Sequence, residues 1–119
     1  MPLEELFLRA LVLTILFEGG LLLAIWKVGW LKTKPALKLW EVLLAGALPS
    51  ALTIPYLWFV LPAFVSSGHY LVVGEGLVVL AEAPLLAWLL RVDLRKALLL
   101  SLACNAFSYA MGLALAGWL

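Results

Sequence analysis

The chain has 119 residues, of which 66% are apolar, with a mean hydropathy of +1.15 and a formal charge of +1. Soluble domains are usually about 45–50% apolar, and here Val42 to Gly68 and Ala97 to Leu119 run charge-free over lengths that cross a bilayer. That leaves no room for a water-soluble catalytic or nucleic-acid-binding domain, and the near-zero charge offers nothing to a polyanion.

The first apolar segment runs from about Leu6 to Trp26. Glu4 and Glu5 precede it where a signal peptide has basic residues, and Glu18-Gly19-Gly20 interrupts its middle, so it is expected to be a retained span. The loop that follows, residues 27–39, carries Lys27, Lys32, Lys34 and Lys38. A second helix is predicted from about Trp40 to Leu61, extending to Phe64. Pro49 and Pro55 interrupt it and Pro62 lies near its end. Each interior proline removes a backbone donor, so this helix is expected to be kinked. Ser50 and Thr53 are expected to serve the freed carbonyls; a locally opened helix around Pro49–Pro55 is the alternative. The turn Ser66-Ser67-Gly68-His69 leads to a third helix, Tyr70 to Leu90, with Pro84 two residues after Glu82. A short loop, residues 91–96, holds Arg91, Asp93, Arg95 and Lys96. A fourth helix follows, from Ala97 to Trp118.

No period-2 alternation runs through these segments, which argues against a barrel. The expected fold is an all-α integral membrane protein, a single four-helix transmembrane domain with spans at about 6–26, 40–64, 70–90 and 97–118. Basic residues crowd into the loops 27–39 and 91–96, while the opposite side offers only Arg9 and His69. The positive-inside rule then places both loops in the cytoplasm and both termini outside, in what is expected to be a prokaryotic cytoplasmic membrane. Trp26, Trp30, Trp40 and Trp88 fall at one predicted interface and Trp58 and Trp118 at the other, where amphipathic rings are favoured. The lysines of the long loop face anionic lipid headgroups in this arrangement.

Inside the spans lie Glu18, Glu75, Glu82 and Asn105. A carboxylate in hydrocarbon is costly and must find water, a proton, a cation or a donor on a neighbouring helix. The predicted midpoints fall near Leu16, Ser50, Leu80 and Phe107. Glu18 and Glu82 lie two residues past a midpoint in helices running inward, and Asn105 two before one in a helix running outward. All three therefore share a depth, slightly toward the basic loops, with Ser50 and Thr53 close to it. Glu75 lies two turns further out on the Glu82 face, at a level that Tyr109 and Tyr56 can reach. Ser101, Asn105, Ser108, Gly112 and Ala116 form a stripe on the fourth helix, expected to pack closely against the Glu75/Glu82 face with Glu18 approaching from the first.

Familiar catalytic and nucleotide motifs are missing: the sequence has no HExxH, GxSxG or phosphate-binding glycine loop. Gly74-Glu75-Gly76 is too short to be a nucleotide motif. The single cysteine, Cys104, excludes an intrachain disulfide and reads as a small packing residue. No cofactor is predicted; a cation held between Glu18 and Glu82 is the one ligand the residues suggest. The leading functional expectation is a subunit of an oligomer or larger membrane complex. A proton or cation transporter component is the second, and a small intramembrane enzyme acting on a lipid or isoprenoid the third. Partners are expected to be lipids, further copies of the chain or other membrane subunits.

Overall fold

The computed structural model describes residues 3–33, 35–61 and 68–115. It is all-helical: α1 (Leu3–Lys27), α2 (Leu39–Phe59), α3 (Tyr70–Leu90) and α4 (Leu94–Leu115). At 1.5 Å rise per residue these helices are about 32 to 38 Å long, enough for a hydrocarbon core of about 30 Å. All four are long and apolar enough to cross a membrane. Helices suit such a setting because every backbone donor and acceptor is met within the segment. The expected extension of the second span to Phe64, Pro62, the Ser66-Ser67 turn, Lys34, Ala116 and Trp118 lie outside the described residues.

The helix ends follow local chemistry. α4 begins three residues earlier than expected because Asp93 caps it: the Lys96 amide donates to Asp93 Oδ1 at 2.8 Å. This draws Arg95 and Lys96 into its first turn. At the start of α2 the Lys38 amide donates to Glu41 Oε1 at 2.9 Å, the return half of a capping box. α2 stays helical through Pro49 and Pro55 and ends at Phe59, where the Val60 amide still reaches Tyr56 O. α1 closes into a turn at Gly29, whose φ of 89° suits glycine. α3 closes instead on Arg91, a left-handed residue with φ 54°. A non-glycine residue there carries strain. Its guanidinium is anchored, with Nη1 donating to Glu41 and Nη2 to Pro35 O at 3.0 Å.

Packing runs around a square: α1 against α2, α2 against α3, α3 against α4 and α4 against α1, the diagonal pairs keeping their backbones apart. The tightest approach joins α1 and α2, where a Cβ on Gly46 would fall 2.7 Å from Gly19 Cα. Small residues allow such contact in hydrocarbon, where dispersion and polar bonds rather than water exclusion hold helices together. The apolar core fills the half of the bundle next to the 27–39 and 91–96 loops. Leu22, Val42, Leu86, Leu90, Ala97 and Leu100 form it, and Leu31 and Leu37 fold in from the loop. The opposite half has fewer buried side chains, chiefly Ile54, Leu61 and Val78. Phe7 stacks edge-on with Trp58 and Phe59 there.

Candidate functional site

Directly above the apolar core lies a polar layer to which every helix contributes. Glu18 and Glu82 keep only 4% and 2% of their surface exposed, and Ser50, Ser101 and Asn105 are buried with them. Ser50 Oγ donates to Glu18 Oε2 at 3.0 Å, joining α2 to α1. Thr53 Oγ1 lies 2.8 Å from Glu82 Oε2, joining α2 to α3. Asn105 Nδ2 donates to Glu82 Oε1 at 2.7 Å, joining α4 to α3. Cys104 Sγ, 3.8 Å from Glu18 O, completes the circuit from α4 to α1. A further strut runs from Ser101 Oγ to Val79 O at 3.0 Å.

Two details define the chemistry. Asn105 Nδ2 also donates to Ser101 O at 2.8 Å; a backbone carbonyl can only accept, so the amide has one orientation and its second N–H must serve Glu82. Thr53 Oγ1 lies 2.9 Å from Pro49 O as well as 2.8 Å from Glu82 Oε2. A hydroxyl has one proton, so two acceptors compete for it unless one of them brings its own. The peptide carbonyl cannot; the carboxyl can.

Glu18 and Glu82 face one another across a cavity of about 10 Å³, also lined by Gly46, Pro49 and Cys104. That is room for about one water. No lysine or arginine among the described residues lines it. Among the described residues the ion pairs are Arg9–Glu5, on α1 beyond the layer, and Arg91–Glu41, at the loops. No three histidine, cysteine, aspartate or glutamate side chains among the described residues converge as a metal site.

Glu75, Ser108 and Tyr109 stand outside the layer. They line an open cavity of about 310 Å³ bordered by residues of all four helices on the side away from the basic loops, with Asn105 at its inner end. Gly112, expected in close helix contact, instead borders this space, and a Cβ there would meet nothing within 4 Å. The close contacts fall at Gly46 and at Gly74, whose added Cβ would meet Leu57 Cδ2 at 2.9 Å. Tyr56 faces a different cavity, the groove of about 420 Å³ between α2 and α3 that ends at Thr53. Nor do Ser50 and Thr53 reach the carbonyls of Ala45 and Ala51, which Pro49 and Pro55 leave without a helical donor; their hydroxyls go to the two glutamates and to Pro49 O.

Gly46 and Cys104 were not expected here. Gly46 had no marker beyond its small size, and Cys104 reads as packing until its position one residue from Asn105 is set against Glu18 on the adjoining helix. Compared with protein-family models, curated proteins and solved structures, the chain has no match in any of the three.

Proposed function

We propose that this protein handles protons within a prokaryotic cytoplasmic membrane, with Glu82 as the proton-carrying group and Glu18 as its neighbour across the one-water cavity. In this reading the basic loops are cytoplasmic, both termini are outside, and the 310 Å³ vestibule opens to the exterior. The proline pair of α2 kinks that helix so that Ser50 and Thr53, three residues apart, meet different glutamates.

The observation that carries the reading is the proton count at Thr53. If Glu82 Oε2 bears a proton it donates to Thr53 Oγ1, which is then free to donate to Pro49 O, while Oε1 accepts from Asn105. Each of these partners is then satisfied and Glu82 buries no charge. A metal cation fits less well: Glu82 Oε1 is taken by the Asn105 amide nitrogen, which cannot act as a ligand, and Oε2 is engaged by Thr53.

Transfer to the far side needs more than this bundle at rest, because Leu22, Leu86 and Leu100 seal the half beneath the layer. That seal favours a second reading as the setting of the first: a subunit of an oligomer of this chain, in which a rearrangement opens the remaining path.

Reconstitution into liposomes containing a pH-sensitive dye tests the proposal. Proton flux is expected in the wild type, falling to the level of empty liposomes in Glu82→Gln and reduced in Glu18→Gln. Equal flux in the wild type and both variants overturns it.

A further inference from the structure

The vestibule has a chemistry of its own. Glu75, on its α3 wall, is half-buried and makes no hydrogen bond or ion pair among the described residues. Trp58 from α2 and Tyr109 from α4 line the same space, and the Trp58 ring is held edge-on by Phe7 with centroids 5.9 Å apart. The rest of the wall mixes the aliphatic Ile54, Leu57 and Leu113 with the neutral polar Thr14, Ser108 and Asn105. Glu75 and Tyr109 also line a second cavity of about 240 Å³ between α3 and α4, otherwise mostly apolar, with Val79 and Leu102 along it. The two residues therefore stand where the vestibule meets a groove between adjoining helices.

A carboxylate in an apolar wall selects a positive charge. A small metal ion favours several charged or carbonyl oxygen ligands, and this wall supplies one carboxylate beside the neutral Thr14, Ser108 and Tyr109 hydroxyls and the Asn105 amide. Aromatic faces prefer a cation whose charge is spread and weakly hydrated. A volume of about 310 Å³ lies at the small end of ligand sites, which run from about 300 to 1,000 Å³. We infer that Glu75, Tyr109 and Trp58 form a binding site for a hydrophobic organic ammonium ion, its charged group in the vestibule and its apolar substituent in the groove between α3 and α4. This site is distinct from the proton group: Glu75 and Glu82 are two helical turns, about 10 Å, apart along α3.

The test uses the full chain in phosphatidylcholine nanodiscs, which add no net surface charge, with benzyltrimethylammonium as probe. Neopentylbenzene, in which carbon replaces the charged nitrogen, is the matched control. Calorimetry is expected to give saturable binding of the ammonium ion, weaker by about tenfold or more in Glu75→Gln, and no such binding of the control. Tyr109→Ala is expected to weaken binding while Tyr109→Phe, which keeps the ring, retains it. If Glu75→Gln does not fold, the tyrosine pair decides: Ala weaker than Phe supports the site and equal affinities overturn it. Absence of saturable binding, equal affinity in the wild type and a folded Glu75→Gln, or equal binding of the uncharged control also overturns it. Binding is read without a gradient, so it is independent of whether liposomes conduct protons.

Discussion

The two halves of this bundle are built from similar sequence and do opposite things. Toward the basic loops, Leu22, Leu86, Leu90 and Leu100 close the space between the helices, with Leu31 and Leu37 folded in from the loop. Away from them the same four helices border an open vestibule with the Glu75 carboxyl in its wall. The difference is not one of hydropathy, since every span is strongly apolar. It lies in how the helices meet at particular positions. Gly46 lets α2 touch the α1 backbone below Ser50, whereas Gly112 in the other half faces open space. In a bilayer the lipid is as apolar as leucine, so hydrophobicity does not choose which half closes; contact geometry does.

Glycine substitutions break the comparison most directly. Gly46→Ala forces its Cβ against Gly19 backbone, which has no rotamer to give, and is expected to cost about 1–3 kcal/mol. Gly74→Ala meets the flexible ends of Leu57 and Leu61 at 2.9 and 3.2 Å and is expected to cost less than about 1 kcal/mol. Reversible unfolding in mild detergent measures both. Equal losses contradict the distinction between a rigid and a yielding half. Leucine truncations give a smaller contrast. Leu100→Ala opens a void in the packed half and is expected to cost about 1–2 kcal/mol, below the soluble-protein range because lipid replaces water as the reference. Leu113→Ala borders space that is already open, and the same unfolding measurement is expected to find almost no change.

This asymmetry also separates what could be read in advance from what could not. Apolar length gave four helices, because no other backbone arrangement is tolerated in hydrocarbon apart from a closed barrel. Counting residues from the span midpoints put Glu18, Glu82 and Asn105 at one depth, since helical rise converts sequence distance into height. Height is only one coordinate. Rotation about each axis is set by packing, so it was not legible that Tyr56 would face the α2–α3 groove while Tyr109 faced the vestibule. Close contact at Gly46 could not be separated from open space at Gly112, because glycine permits an approach without naming a partner. At the loops, Asp93 and Arg91 were weighed only for topology. Asp93 nonetheless starts α4, and Arg91 ties the end of α3 to Glu41 and Pro35.

The polar layer sits at the boundary between the halves, and one modest expected effect there discriminates between its charge states. Asn105→Leu removes the donor to Glu82 Oε1 without shortening the side chain. With a proton on Glu82, the substitution removes one neutral hydrogen bond; such bonds average about 0.6 kcal/mol in membrane double-mutant cycles and reach about 1.7. A loss of about 1 kcal/mol is therefore expected. With an ionised Glu82, the same substitution strips a buried charge of a principal donor, and breaking buried charged pairs costs about 3–5 kcal/mol. A measured loss in that upper range shows that the layer holds a charge, and the boundary between the halves then has to contain a counter-ion rather than a proton.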